Sequence, residues 1–260
     1  MERARIVELD KRRVWHPYCP METYRSSTDP IVVDRAEGPF LYDLDGRRYI
    51  DANASWWVAN LGHNHPRLVQ ALTRQATRNC HTTLAGMTHR EAAELGERLC
   101  QVAPSGLEVV FYSDDGSTAV EVGMKLALQY WAQNGRPERT RFVSLSDAFH
   151  GETLGVTSVG GVEVFRRPFA GAVREQLCVP TPYRAGSTRA ACDALAEALQ
   201  EHAGEVAALV MEPMLQGAAG MRSHDPEFVR HARTLCDRHD IVLILDEVFT
   251  GYGRTGPMWA

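Results

Sequence analysis

The feature that most constrains the fold is a short apolar run near the end of the chain, Ile241–Leu245. Its aliphatic, partly β-branched residues, without polar alternation, are typical of a strand that is covered on both faces. The run stops at Asp246, and a glycine-rich loop follows. Open α/β sheets bind ligands at the carboxyl ends of their strands, so Asp246 is a candidate binding residue. An acid that only caps a turn is the alternative interpretation.

Upstream of this run, segments with strand patterns alternate with segments with helix patterns. We predict strands at Glu108–Ser113, Arg141–Leu145 and Val206–Met211, and a further strand that ends at Cys178–Val179. We predict helices at Gly116–Gln133, Ala190–His202 and from Asp225-Pro226 to His239. This alternation predicts an α/β fold with a mostly parallel central sheet and helices on both faces. Nearer the start, Ile31–Arg35, Phe40–Leu44 and Arg47–Asp51 are predicted to be short strands, the last two joined by a hairpin turn at Asp45-Gly46.

Four of the predicted strands are followed by residues that could bind a ligand. Gly116-Ser117 opens a helix, whose first N–H groups favour an anion such as phosphate, although a helix that is merely capped by an Asp is the alternative. Phe149 follows the second strand and could stack on a flat ring, or it could simply be a core residue. Glu212 and Asp246 are carboxylates at strand ends. Together these groups predict a site for pyridoxal 5′-phosphate, with Asp246 as the partner of the ring nitrogen.

Composition excludes several other classes of function. The net charge of −5 gives no electrostatic reason to expect nucleic acid or an anionic membrane as a partner. The charged N-terminus is not a secretory signal, and no apolar run is long enough to span a membrane. Six cysteines lack metal or disulfide spacing, and His63 and His65 lack a third ligand, so we expect no metal site and a cytoplasmic protein.

Several of these segments together resemble the class III pyridoxal-phosphate aminotransferases. The motifs that carry the resemblance are Phe111–Glu121, Phe149-His150-Gly151, Met211-Glu212-Pro213, Leu245–Val248 and Gly253–Gly256. Within that class, Trp15–Tyr18, Ser55–Trp57 and Ala127–Trp131 resemble the members that transfer the amino group of S-adenosylmethionine to 8-amino-7-oxononanoate in biotin synthesis. The resemblance covers nearly the whole chain.

The resemblance implies roles for individual residues. Gly116 and Ser117 would hold the phosphate, Asp246 the pyridine nitrogen, and Val248 and Phe149 the two faces of the ring. Trp56 and Tyr18 would line the substrate pocket, with Tyr18 facing the adenine of S-adenosylmethionine. Phe149 stands where relatives often have Tyr. The Phe ring keeps the stacking on the cofactor but lacks the Tyr hydroxyl that reaches the substrate. Asp115 stands where relatives commonly have Ser, so we expect it to cap the helix.

The resemblance also implies the fold of type I pyridoxal-phosphate enzymes and a longer protein. The lysine that binds the cofactor as a Schiff base would lie beyond Ala260, because the two lysines present, Lys11 and Lys125, are not placed for that role. The chain would then be a C-terminally truncated fragment, inactive by itself, with residues 1–60 belonging to a small domain and 61–260 to an incomplete large domain. Its central sheet would have a gap beside the Glu108–Ser113 strand, and the intact protein would be a homodimer.

Three alternatives to this reading are open. Lysine could replace S-adenosylmethionine as the amino donor. The protein could be another class III ω-aminotransferase, a reading that Trp56 and Tyr18 disfavour. The chain could also be a non-catalytic remnant, or half of a split enzyme that needs a partner chain.

Overall fold

The structure, a computed structural model, describes residues 2–260 and divides them into two compact units. The first unit ends at His89, and the second runs from Arg90 to Ala260. Within the first unit, His63 pairs with Gly38 in an isolated antiparallel bridge. The assignment of 1–60 and 61–260 to the small and large domains of the family fold stays a prediction.

The first unit contains a three-stranded antiparallel sheet and four helical segments. Its elements are α1 (Glu2–Arg13), α2 (Met21–Ser27), β1 (Val33–Glu37), β2 (Phe40–Asp43), β3 (Arg48–Ile50), α3 (Ala54–Trp57) and α4 (Pro66–Ala76). The predicted hairpin between β2 and β3 is confirmed. Its turn is held by Asp43, whose carboxylate accepts hydrogen bonds from the Asp45 and Arg47 amides at 3.0 and 2.8 Å and from the Tyr49 hydroxyl at 2.8 Å.

Helix α3 is a single turn wound in the left-handed sense. Its four residues, Ala54, Ser55, Trp56 and Trp57, have φ angles of 50°, 47°, 63° and 69°. An L-residue in this conformation costs roughly 1–2 kcal/mol, so four in succession cost about 4–8 kcal/mol. Contacts elsewhere in the unit must therefore hold the turn in place.

The second unit is an α/β layer structure around a parallel sheet. Its helices are α5 (Arg90–Val102), α6 (Gly116–Gln133), α7 (Leu154–Val159), α8 (Glu163–Arg166), α9 (Pro182–Ala185), α10 (Thr188–His202) and α11 (Pro226–His239), with a 3₁₀ helix at Arg167–Ala172. Its strands are β4 (Arg141–Leu145), β5 (Leu177–Val179), β6 (Val206–Met211), β7 (Leu215–Gln216), β8 (Arg222–Ser223) and β9 (Val242–Leu245). β7 and β8 form a separate two-stranded ribbon.

The main sheet has the strand order β5-β4-β6-β9, and all three pairings are parallel. Successive residues of a strand point to opposite faces, and the two faces are covered by different helices. On one face, residues such as Leu209 and Met211 pack with Leu195 of α10 and Phe228 of α11. On the other face, Ala208 and Val210 pack with residues of α6 and α7. The predicted parallel sheet with helices on both faces is confirmed.

One predicted strand is absent. Residues 108–113 have no strand assignment in the structure, although the prediction placed a strand there. A strand needs a neighbouring backbone for its hydrogen bonds, and no described segment pairs with these residues. Val109 and Phe111 consequently remain 91% and 66% exposed. β9 is also an edge strand, because β6 is its only partner among the described residues.

Candidate active site

The predicted site residues of the second unit converge at the carboxyl edge of the parallel sheet. Phe149 follows β4, Glu212 follows β6 and Asp246 follows β9. The three strands are parallel, so their carboxyl ends lie at the same edge of the sheet. This is the edge where open α/β sheets bind ligands.

Asp246 is held by two hydrogen bonds at the end of β9. His150 Nδ1 donates to Asp246 Oδ2 at 2.7 Å, and the amide of Val248 donates to Asp246 Oδ1 at 3.0 Å. The side chains of His150 and Asp246 are 0% and 5% exposed. The carboxylate is thus fixed in orientation, and each of its oxygens keeps a lone pair free for a further donor.

The pairing of His150 with Asp246 is a feature that the sequence analysis missed. The two residues are separated by 96 positions, and no local pattern links them. His150 directly follows Phe149 after β4, which is the signal that could have marked it as a site residue. Among residues 2–260, no atom forms a hydrogen bond with His150 Nε2, although that nitrogen is buried. This nitrogen is therefore available as an acceptor or donor for a bound group.

The start of α6 lies against the Asp246 loop. A Cβ atom added to Gly116 would lie 2.7 Å from Val248 Cγ2, so only a glycine allows this approach. Gly116 and Ser117 provide the first amides of the helix, which have no acceptor within it. The start of α6 and the loop that carries Asp246 are therefore packed together, and their joint role in a cofactor site stays a prediction.

Asp115 is the N-cap of α6. Its carboxylate accepts a hydrogen bond from the Thr118 amide at 2.8 Å, and the Thr118 hydroxyl accepts one from the Asp115 amide at 3.2 Å. This reciprocal capping box confirms the prediction that Asp115 caps the helix. Because Asp115 satisfies the Thr118 amide, the amides of Gly116 and Ser117 are left for another acceptor.

Gly151 connects the loop after β4 to the same helix start. Its φ is 110°, and an added Cβ atom would lie only 2.0 Å from Ser117 Oγ. Ser117 Oγ also accepts a hydrogen bond from the Glu152 amide at 3.3 Å. The loop that carries Phe149 and His150 is thus packed directly onto the residue predicted to bind phosphate.

The carboxylate of Glu212 binds the backbone of the loop that follows β4. One of its carboxylate oxygens accepts from the Phe149 amide at 3.1 Å and the other from the Gly217 amide at 2.9 Å. Burial raises the pKa of Glu212 to about 7, against the lowering effects of nearby His150 and of these two amides. Glu212 therefore fixes the backbone of Phe149, and its predicted direct contact with a cofactor stays a prediction.

Phe149 and Val248, the two residues predicted to cover the cofactor ring, lie in the loops that follow β4 and β9. The Phe149 ring lies 5.1 Å from the ring of Phe165, at an angle of 58°. Val248 is 65% exposed, so its side chain is accessible to a ligand. Their predicted positions on the two faces of a cofactor ring stay predictions.

Two of the three predicted substrate residues, Tyr18 and Trp56, lie in the first unit and contact each other, whereas the third, Phe149, lies in the second unit. The rings of Tyr18 and Trp56 are stacked, with centroids 5.5 Å apart and planes inclined by 18°. They are 52% and 59% exposed. The loop that carries Tyr18 is anchored by Asp10, whose carboxylate binds His16 Nε2 at 3.0 Å and the Tyr24 hydroxyl at 2.6 Å. The pair is thus a partly exposed aromatic surface on a fixed backbone.

The two lysines of the chain have different surroundings. Lys125 is exposed on α6, nine residues after Gly116, which places it about 14 Å further along the helix axis. Lys11, in the first unit, donates to the carbonyl oxygen of Arg25 at 3.2 Å. Residues 2–260 contain no group of His, Cys, Asp and Glu side chains that could hold a metal ion.

Comparisons with known proteins identify the family of the chain. The class-III aminotransferase family model matches residues 23–260. The chain is 44% identical to the adenosylmethionine-8-amino-7-oxononanoate aminotransferase of Geobacter sulfurreducens and 41% identical to that of Nitratidesulfovibrio vulgaris, over 98% and 99% of its length. It spans 58% and 49% of those two relatives.

Solved structures show the same relationship. The crystal structure of the adenosylmethionine-8-amino-7-oxononanoate aminotransferase of Methanocaldococcus jannaschii matches with a TM-score of 0.93 and 35% identity, over 98% of this chain and 57% of that one. An ω-transaminase of Pseudomonas jessenii in complex with PMP matches with a TM-score of 0.91 and 29% identity, over 98% and 58% of the two chains. The match of sequence and fold over nearly its whole length shows that this chain belongs to the class-III aminotransferases.

Proposed function

We propose that the protein containing this chain is a pyridoxal-phosphate-dependent aminotransferase. Its amino donor is S-adenosylmethionine, its acceptor is 8-amino-7-oxononanoate, and its product is the 7,8-diaminononanoate of biotin biosynthesis. The observation that carries the proposal is the set of contacts that bring the start of α6, the loop after β4 and the loop after β9 together: Gly151 against Ser117, Gly116 against Val248, and His150 bonded to Asp246. The relatives that bear the name of this activity support the choice of substrates.

The residues present fit pyridoxal phosphate. These residues include helix amides for a phosphate, a buried carboxylate for a protonated nitrogen, and a buried, unpartnered nitrogen at His150 beside that carboxylate. When bound, the cofactor supplies an electron-withdrawing ring and a carbonyl carbon that takes up and releases amino groups. Gly116 and Ser117 would bind its phosphate, and Phe149 and Val248 would cover its ring.

The chain's own residues would then control one proton. Asp246 would hold a proton on the ring nitrogen, because a charged hydrogen-bond partner is worth about 1.5–3 kcal/mol, or roughly one to two pKa units. His150 donates its Nδ1 hydrogen to Asp246 and fixes the orientation of the carboxylate. Glu212 keeps the backbone of Phe149 in position. Tyr18 and Trp56 would bind the substrates at their exposed ring faces.

Other features of the intact protein belong to the same proposal. We place the Schiff-base lysine outside residues 1–260, because Lys125 lies along α6 away from its start and Lys11 lies in the N-terminal helix, and we expect a cytoplasmic homodimer. All six cysteines are free thiols, which is compatible with a reducing compartment. No helix within residues 2–260 combines the length and the apolar character needed to cross a membrane.

The test is a half-reaction measured on the full-length protein loaded with pyridoxal phosphate. S-adenosylmethionine, lysine and a diamine are offered separately, and conversion of the cofactor to its amine form is followed by absorbance. We expect conversion with S-adenosylmethionine, followed by formation of 7,8-diaminononanoate, identified by mass spectrometry, when 8-amino-7-oxononanoate is added. If only lysine converts the cofactor to its amine form, lysine is the amino donor and S-adenosylmethionine is not. If only the diamine does so, the protein is a different ω-aminotransferase.

A matched pair of variants tests the site itself. Asp246→Asn removes the charge that would hold the ring proton, so we expect kcat to fall by at least about a hundredfold, comparable to a lost preorganised electrostatic contact. Asp237→Asn removes an exposed carboxylate of α11 that pairs with Arg233, and we expect it to leave kcat unchanged. Equal activity of both variants would contradict the role given to Asp246.

A further inference from the structure

The left-handed turn α3 is built from residues that disfavour its conformation. None of Ala54, Ser55, Trp56 and Trp57 is a glycine or an asparagine, the residues that adopt left-handed backbone most readily. Strained backbone of this kind persists only when surrounding contacts enforce it, and it is concentrated at functional sites. The contacts that enforce this turn can be identified in the structure.

The carboxylate of Asp51 is the central contact. Its Oδ2 atom accepts hydrogen bonds from Ser55 Oγ at 2.7 Å and from His63 Nε2 at 2.7 Å. The side chains of Asp51 and His63 are 7% and 18% exposed, so both bonds are largely shielded from water. The bond from Ser55 is the first cause, and the bond from His63 a further cause, of the lowered pKa of the Asp51 carboxyl.

His63 connects this carboxylate to the backbone of the sheet. Its amide donates to the Gly38 carbonyl at 2.8 Å, and the Gly38 amide donates back to the His63 carbonyl at 3.0 Å. Gly38 lies between β1 and β2. The position of the imidazole, and through it that of Asp51, is therefore set by the antiparallel sheet and not by the turn.

The turn presents Trp56 to Tyr18. Tyr18 itself has a φ of 53°, so both stacked rings are carried by left-handed backbone. A rotation of α3 back to ordinary backbone angles would swing Trp56 away from Tyr18. The geometry of the stacked pair thus depends on the contacts that hold α3.

We propose that Asp51 and His63 are positioning residues that hold α3 in its left-handed form and so fix Trp56 against Tyr18 for substrate binding. The inference rests on the proposed function for its catalytic consequence, since that function makes the stacked pair part of the substrate pocket. The structural half, that Asp51 holds the turn, stands independently of any activity.

The experiment compares two buried carboxylates of the same unit in the full-length holoenzyme. Asp51→Ala removes the acceptor beneath α3, whereas Asp43→Ala removes the acceptor beneath the β2–β3 hairpin, which is equally buried at 7% side-chain exposure. We expect Asp51→Ala to raise KM for S-adenosylmethionine about tenfold, the effect of one lost charge-assisted hydrogen bond, with a much smaller change in kcat. Asp43→Ala should lower thermal stability without changing KM.

Two further variants separate positioning from general stabilisation. Asp51→Asn retains an acceptor oxygen and is expected to recover most of the affinity. Ala54→Gly makes left-handed backbone easy at one position of the turn, so the double variant Asp51→Ala/Ala54→Gly should bind substrate more tightly than Asp51→Ala alone. Purely additive effects of the two substitutions, or an equal rise of KM in Asp43→Ala, would overturn the proposal.

Hydrogen exchange distinguishes failure of this inference from failure of the proposed function. The amides of Trp57 and Ala59 donate to the carbonyls of Asn53 and Ala54, each at 2.9 Å, and report the turn directly. We expect Asp51→Ala to accelerate their exchange at least tenfold and Asp43→Ala to leave it unchanged. Accelerated exchange in a protein that accepts none of the offered donors would refute the proposed function alone. Unchanged exchange would refute the role of Asp51, whatever the activity.

Discussion

The buried carboxyl of Glu212 should make stability fall as the pH rises, the opposite of what most carboxylates do. Burial at 4% residue exposure raises its pKa from 4.5 to about 7. Between these two values the folded protein keeps a proton on Glu212 that the unfolded chain has already lost, so the folded state binds more protons and loses stability with increasing pH.

The size of the effect follows from the two pKa values. Each pKa unit corresponds to about 1.36 kcal/mol, so the rise from 4.5 to about 7 corresponds to about 3 kcal/mol. This contribution is fully present below pH 4.5 and is lost as the pH rises through about 7. Glu212→Gln does not titrate, so subtracting its free energy of unfolding from that of the wild type isolates the carboxyl.

The assay is urea unfolding of the cofactor-free protein, followed by circular dichroism, at several pH values from about 4.5 to about 8. The difference in unfolding free energy between wild type and Glu212→Gln should fall by about 3 kcal/mol over this range. Asp147→Asn serves as a control whose difference from the wild type should stay constant over this range. Hydrogen bonds from Arg184 lower the pKa of Asp147, so its contribution is present above pH 3.8 and is lost as the pH falls through its lowered pKa. A flat or rising difference for Glu212→Gln would refute the reasoning from burial.

Three further substitutions test the packing of the second unit. Gly151→Ala places a methyl group 2.0 Å from Ser117 Oγ at a left-handed position and should cost about 1–3 kcal/mol of stability, measured by urea unfolding. Gly116→Ala places a methyl group 2.7 Å from Val248 Cγ2 and should weaken binding of pyridoxal phosphate about tenfold, measured by absorbance titration. Trp131→Phe removes the hydrogen bond from the indole nitrogen to a carbonyl of β6 at 2.8 Å and should cost about 1–3 kcal/mol in the same unfolding assay.

Each of these substitutions has a control in the chain. Gly171→Ala meets no atom within 4 Å and should leave stability nearly unchanged. Val248→Ala combined with Gly116→Ala removes the clash and should restore part of the cofactor affinity. Trp15→Phe alters a side chain that is 85% exposed and should not change the unfolding free energy measurably. A wild-type response from any of the three test variants would contradict the packing described for its position.

The sheet was predictable wherever burial on both faces leaves a continuous apolar run. The bounds of β4 and β6 agree with the sequence prediction, as does the start of α11, where Asp225 is the N-cap and Pro226 the first residue. Residues 108–113 show the limit of such patterns. A run of strand-forming residues expresses a preference, but the hydrogen bonds that make it a strand come from another segment, whose presence the run itself does not reveal.

The parts of the site that sequence reasoning missed depend on contacts between distant residues. Asp246 was identified because it ends a strand, whereas its partner His150 becomes visible only when β4 and β9 are placed in one sheet. The left-handed turn α3 was not predicted from the sequence, for a different reason. Ala-Ser-Trp-Trp contains no glycine or asparagine, and its backbone is imposed by Asp51 and the bridge between Gly38 and His63.

The strand order β5-β4-β6-β9 bears on how the polypeptide folds as it leaves the ribosome. β4 emerges first, β5 joins one side of it, β6 the other, and β9 then adds beyond β6. Each new strand pairs at a free edge of the growing sheet, so none has to insert between two strands that are already paired. These four strands can therefore pair in the order in which they are translated.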